Sequence, residues 1–176
     1  MLSKIPKTRT PVFALIVFLW FTTYVVNCAP DLPAPQEVDQ ASEKKAILAV
    51  VQKFFDTMTS KDADRARETL ILDGQFMSIR EGESPLNVRS TPLSSYIEKL
   101  GSRPRLQEER MWDPIVHVHG RIAMVWTPYD FHVDGKLSHC GVDVFTLLAT
   151  EEGWKIANVT YTVEPEGCEV LGQPKQ

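Results

Sequence analysis

Apolar and polar positions repeat with two different periods along this chain, and the change of period divides it. Ile47, Val50, Val51, Phe54, Phe55 and Met58 recur at helical spacing and form one stripe that must face a core. Ser42 stands ahead of them as an N-cap, and the helix is expected to end near Ser60-Lys61. Asp62 or Asp64 opens a shorter helix through Leu70, which Asp73-Gly74 breaks. Residues 75–80 alternate as a short strand, residues 82–87 form a loop, and a second short strand starts at Val88. Thr91-Pro92 begins a third helix, with Pro at the first helical position where its missing N–H costs little. Leu93, Tyr96, Ile97 and Leu100 give that helix its apolar face, and Gly101 ends it.

From Arg105 onward the period is two. Residues 106–118 read as one strand, His119-Gly120 as a tight turn, and residues 121–133 as the next strand. Residues 136–150 follow Asp134-Gly135, residues 151–153 turn again, and residues 154–163 form the last strand. Asp-Gly between two runs rich in Val, Phe, Tyr and Trp is the strongest local hairpin signal. With those two residues as the whole loop, Val133 faces Lys136, Asp130 faces His139 and Trp126 faces Asp143. One face then carries Trp126, Asp130, His139 and Asp143, and the other Val125, Tyr129, Phe131, Cys140, Val142 and Val144.

Three helices with a short hairpin among them, followed by long antiparallel strands, define an α+β class in which one sheet covers the helices. Strands this long must curve, and Pro128 and Gly141 mark the places to bend. The expected architecture is a cone: a strongly curved antiparallel sheet wrapped around three N-terminal helices, with a cavity on its concave side. Extending the pairing across all turns lines that cavity with Asp113, His117, Trp126, Asp130, His139, Asp143, Phe145, Trp154, Asn158 and Thr160. A one-residue slip anywhere exchanges the faces beyond it.

Composition changes the picture at the ends and in what it excludes. The 176 residues carry a net charge of −4 with a pI near 5.6, and basic residues form no stripe beyond the start, which argues against nucleic acid. Lys4, Lys7 and Arg9 precede an apolar run from Val12 to Val26, shorter than the ~20 residues of a spanning helix. This is the form of an export signal, with Val26 and Cys28 at −3 and −1 of a cleavage site. The expected organisation is a signal over residues 1–28, a Pro-rich linker over 29–41, the domain over 42–164 and an irregular tail over 165–176. The protein is then secreted or periplasmic, and it is membrane-anchored only if the segment stays uncleaved or Cys28 carries a lipid. Cys140 and Cys168 are the mature cysteine pair, and an oxidising compartment permits either a disulfide or two free thiols.

The phrases GKLSHCGVDVFTLL and EEGWKIANVTYT, in this order after the helices, resemble the nuclear transport factor 2-like superfamily. That superfamily includes SnoaL-like polyketide cyclases and ketosteroid isomerases, and the resemblance covers roughly residues 42–163. It implies a pocket at the open end of the cone and often a homodimer through the outer sheet, where Tyr129, Phe131, Val142 and Val144 are expected. Gly141-Val142-Asp143-Val144-Phe145 is similar to the isomerase strand that supplies a protonated Asp, which implies such a role for Asp143. The isomerase also uses a Tyr donor, but helical spacing makes Tyr96 a core residue.

Two candidate sets follow. His139 and Asp143, with Asp130, have the chemistry of a general acid–base group. Trp126, His117, Asp113, Phe145, Trp154, Asn158 and Thr160 are the candidate ligand contacts. His117-x-His119 lacks a third ligand beside it, so no metal is assigned, and no motif calls for a cofactor. Asn158-Val159-Thr160 is a glycosylation sequon inside a central strand, where a packed or pocket Asn is the expected role. The first expectation for function is binding of a small, largely apolar organic ligand. The alternatives are an isomerase, cyclase or dehydratase, and a non-catalytic interaction domain.

Overall fold

In the computed structural model, which describes residues 39–172, the apolar stripe predicted from the sequence lies on α1 (Gln40–Ser60). Ile47, Val51, Phe54, Phe55 and Met58 are its buried face. The helix starts three residues earlier than Ser42 would place it. Asp39 is the N-cap, its carboxylate accepting from the Ala41 N–H at 3.2 Å. The expected N-terminal signal, Cys28 and most of the expected linker lie outside the described residues. No helix among the described residues is long and apolar enough to cross a membrane.

Helix α2 (Ala63–Thr69) is capped by Asp62, which accepts from the Arg65 N–H at 2.9 Å. Helix α3 (Leu93–Leu100) buries Leu93, Tyr96, Ile97 and Leu100, with Pro92 as its cap residue rather than its first turn. Strands β1 (Leu70–Arg80) and β2 (Val88–Pro92) form the early hairpin. The stretch expected as one strand before the long hairpin is two, β3 (Gln107–Met111) and β4 (Ile115–His119). Asp113 breaks it, its φ of 46° lying in the left-handed region. Strands β5 (Ile122–Val133), β6 (Lys136–Thr150) and β7 (Gly153–Val163) complete the sheet.

The seven strands run in the order β2-β1-β7-β6-β5-β3, with β4 also on β5. The sheet is mixed rather than purely antiparallel, because β1 pairs with β7 in parallel. It curves strongly around the three helices. Its inner face meets them in one core that includes Val125, Phe145, Leu147, Ile156 and Val159. Rings from α1 close this core against the sheet, with Phe145 5.7 Å from Phe55 and 6.4 Å from Phe54.

The Asp134-Gly135 turn forms as predicted, with Val133 opposite Lys136. Two residues later the register slips. His132 pairs with Leu137 and Phe131 with His139, so Ser138 has no partner and bulges. Beyond the bulge Tyr129 faces Gly141, Thr127 faces Asp143 and Trp126 faces Val144. The predicted opposition of Asp130 to His139 and of Trp126 to Asp143 is therefore wrong by one residue. Gly141 is required here, because a Cβ at that position would sit 2.3 Å from the Thr162 carbonyl oxygen and 2.9 Å from the Tyr129 ring.

A second bulge, at Ala157, shifts β7 against β6. It preserves the predicted Leu147–Ile156 pair and turns every later position over, so Phe145 meets Val159 and Asp143 meets Tyr161. After Val163 the chain crosses the outer side of β6. Cys140 and Glu164 exchange backbone hydrogen bonds of 3.0 and 2.8 Å. A disulfide joins Cys140 to Cys168, and the Trp112 indole donates to the Leu171 carbonyl at 3.0 Å.

Candidate functional site

The curvature leaves a cavity of about 540 Å³ between the concave sheet, α1 and α3. Sheet alternation delivers its wall. β6 contributes His139, Asp143 and Phe145; β5 contributes Tyr129 and Phe131; β7 contributes Val159, Tyr161 and Val163; β3 contributes Gln107 and Glu109. Phe76, Phe54 and Tyr96 add aromatic surface, with Phe76 and Tyr96 5.3 Å apart.

Two carboxyl groups share this apolar surrounding. Asp143 is 2% exposed, and no described group donates to its Oδ2. Glu109 lines the same cavity and is the group hydrogen-bonded to it. Two carboxylates side by side in an apolar surrounding repel one another, so burial and mutual repulsion both favour a proton held by the pair. Burial pushes Asp143 up from 3.8 to about 7, partly offset by the Glu109 hydrogen bond. Burial raises Glu109 well above the ordinary carboxylate range, and the charge of Asp143 raises it further. Both carboxyls are therefore raised, and the pair releases its protons as a unit above the ordinary carboxylate range.

Tyrosines surround the pair. Tyr129 is held by donation to the Thr162 carbonyl at 2.7 Å. Burial, followed by the charges of Asp143 and Glu109, raises its pKa. Tyr96 is raised by burial to about 12, and its hydroxyl oxygen has no hydrogen-bond partner among the described residues. It belongs to the core, as helical spacing predicts, and also lines the cavity.

His139 stacks on Phe131 at 4.9 Å and meets Tyr129 edge-on at 5.9 Å. Burial lowers its pKa and the charge of Arg80 lowers it further, which favours a neutral imidazole. Its Nδ1 lies 3.1 Å from the Ser138 hydroxyl.

Of the residues chosen from the sequence, the structure brings His139, Asp143 and Phe145 to the cavity and leaves the others outside it. Asp130 lies on the opposite face. It takes two hydrogen bonds from Arg110, at 2.9 and 2.6 Å, and lies 3.3 Å from His132. The histidine beside Asp130 is thus His132, not His139. Trp126 and His117 point outward from β5 and β4, exposed, because the Ser138 slip reverses the expected face. His119 extends β4, since the turn is Gly120-Arg121. Asp113 is exposed in the break between β3 and β4. Trp154 packs against the core without lining the cavity. Asn158 and Thr160 are exposed, turned out by the Ala157 bulge, and Asn158 accepts from the Gln75 N–H at 3.1 Å. Asn158 is therefore neither packed nor a pocket residue. Tyr129 and Phe131, expected on the outer face, are cavity residues for the same reason.

The residue missed from the sequence is Glu109. It sits in the charged run Gln107–Met111, where the inward position is concealed among polar neighbours. Its signal is its pairing with Phe131, visible only once β5 is in its true register.

Comparison with known proteins agrees with this architecture. A family model described as "Putative lumazine-binding" matches residues 42–162. No curated protein matches the chain. Among solved structures, a nuclear transport factor 2-like protein of unknown function from Shewanella baltica superposes with a TM-score of 0.55 at 15% identity, covering 72% of this chain and 97% of that one. A nuclear transport factor 2-like superfamily protein from Salmonella enterica gives 0.57 at 14% identity, covering 72% and 94%. A structure described as a "putative dehydratase" of the same family from Streptomyces avermitilis gives 0.57 at 14%, covering 70% and 97%. At these identities the likeness is one of fold.

Proposed function

Because this chain belongs to the lumazine-binding family and has the nuclear transport factor 2-like fold, we propose that its cavity binds a small, planar organic ligand. The observation that carries this reading is an aromatic-lined cavity of about 540 Å³ with Glu109 and the buried Asp143 on its wall. That volume lies within the range of small-molecule sites, roughly 300–1,000 Å³. Phe76, Tyr96, Phe131 and Phe145 offer ring faces and edges. The carboxyl pair offers acceptor oxygens, and a donor only when it takes up its second proton, which fixes the ligand's orientation. The ligand is less apolar than the sequence suggests, because these polar groups need partners. A thermal-shift screen of planar heteroaromatics, lumazine among them, is expected to yield a compound that raises the Tm of the wild type. The same compound should bind Asp143→Asn about tenfold more weakly, as expected for loss of a hydrogen bond to a charged group. Failure of every compound to stabilise the wild type would remove this reading.

The carboxyl pair also favours a second reading, acid–base catalysis of the isomerase, cyclase or dehydratase kind. Asp143 as carboxylate would take a proton from carbon beside a carbonyl, while Glu109 gives its proton to the carbonyl oxygen, leaving an enol. Return of the proton from Asp143 to another carbon, with the enol O–H proton going back to Glu109, completes an isomerisation and restores both acids. His139, stacked on Phe131, is a positioning residue in this scheme. Turnover lost in Asp143→Asn with binding retained supports it; unchanged turnover excludes it.

We also propose export, in support of which the Cys140–Cys168 disulfide suits an oxidising compartment. A homodimer through the outer sheet remains the proposed assembly, now through exposed Ile115, Ile122, Trp126 and Leu148 rather than Tyr129 and Phe131. Sedimentation of wild type and Trp126→Glu tests it, with dissociation of the variant as the expected result.

A further inference from the structure

Four arginines line the same cavity: Arg80 at the end of β1, Arg89 on β2, and Arg103 and Arg105 between α3 and β3. Two of them have acidic partners outside the cavity wall. Arg89 pairs with Glu83 at 2.5 Å and Arg105 with Asp134 at 2.8 Å, and both guanidiniums are largely exposed. The other two are half-buried and differ. Arg103 lies over the Tyr96 ring at 4.5 Å and hydrogen-bonds Gln107, with no ion pair to an acid among the described residues. Arg80 likewise has no ion pair among the described residues, and its charge is felt by His139. The two acids that share the wall offset these cations only in part, because Glu109 and Asp143 with one proton between them carry a single negative charge against two guanidiniums. The cavity therefore carries a net positive charge, with exposed arginines at its open side and the buried Asp143 and Phe145 within.

A half-buried guanidinium without a counter-charge costs stability, and its planar fork matches an oxyanion in two hydrogen bonds. Resting on the ligand-binding reading above, we infer that the ligand is an aromatic oxyanion, a carboxylate or phosphate held by Arg80 and Arg103, with its ring system against Phe76, Phe131 and Phe145. The uncharged end of the ligand meets the Glu109–Asp143 pair, where a second anion would be repelled. This explains why one cavity combines two half-buried cations without acidic partners with a proton-sharing pair.

The test uses three probes of one shape: 2-naphthoate, 2-naphthyl phosphate and the neutral 2-naphthamide, titrated calorimetrically into the full-length protein. The wild type is expected to bind one or both anions about tenfold or more tighter than the amide, the scale of a charge-assisted bidentate contact. Preference for the phosphate or for the carboxylate identifies which oxyanion the site takes. Arg80→Gln and Arg103→Gln should each reduce that preference while leaving amide binding unchanged, and Arg80→Lys should restore part of it. Arg65→Gln, on the surface of α2, should change nothing. Equal affinity for amide and anions in the wild type overturns the oxyanion inference and leaves the cavity reading standing. Binding of none of the three overturns both.

Discussion

Asp130 and Asp143 sit on the two faces of one hairpin, each 2% exposed, and they are in opposite electrostatic states. Burial alone would raise both. At Asp130 it is outweighed by the hydrogen bonds and charge of Arg110, with His132 adding to them, and the carboxyl is held below its ordinary range. At Asp143 no cation intervenes, the nearest polar group is another carboxyl, and burial prevails. The same residue type on adjacent strands is thus a structural ion pair on the convex side and a proton-holding group on the concave side. Partners decide the role, and burial alone does not. The convex cluster also has the tail beside it, because Cys140, the cross-strand neighbour of Asp130, is the anchor of the disulfide.

Breaking the convex side should produce the largest effects on stability and the smallest on binding. Cys168→Ser opens a loop with a sequence separation of 28, and the loop-closure relation assigns it about 3.5 kcal/mol. Denaturant unfolding should show a loss of that order, with ligand affinity in the cavity retained. Arg110→Ala removes both guanidinium hydrogen bonds from a buried carboxylate. A loss of about 3 kcal/mol is expected, the low end for a broken buried pair because Arg110 itself reaches water. Chemical denaturation of the variant at neutral pH measures it.

Changing the concave side should act through pH. An acid whose pKa is raised by folding holds its proton more tightly in the native state. Its contribution is therefore intact below 3.8, is lost progressively as pH rises from 3.8 to about 7, and changes no further above that. Wild-type stability should fall across this window with a slope of up to about 1.4 kcal/mol per pH unit from this group. Asp143→Asn removes this group's share of the slope, so unfolding at about pH 8 and about pH 5 should show the variant gaining on the wild type at the higher pH. The smallest effect belongs to the outer surface: His117→Ala should alter stability by about 0.5 kcal/mol or less and leave binding unchanged.

The same comparison shows what the sequence makes legible. Helices, the Asp134-Gly135 turn and the curved sheet follow from periodicity and turn chemistry, which are local. Which face of β5 looks inward depends on Ser138, a single unpaired residue whose neighbours show no composition typical of a bulge. That slip moved Trp126 and Asp130 out of the expected site and Tyr129 and Phe131 into it. The Ala157 bulge did the same to Asn158 and Thr160. His139, Asp143 and Phe145 survived because they lie on β6, whose inward face was identified correctly. Glu109 is the harder case. Its strand is short and charged, and its inward position follows only from pairing with Phe131, a long-range contact that no local pattern encodes.

The central claim is that Glu109 and Asp143 hold a proton between them in the cavity. Side-chain carboxyl NMR, with each residue assigned through Glu109→Gln and Asp143→Asn, follows this directly. The pair is expected to lose its first proton with an apparent midpoint near 7 and its second at higher pH. If both carboxyls instead ionise in the ordinary range, below about 5, the claim is contradicted.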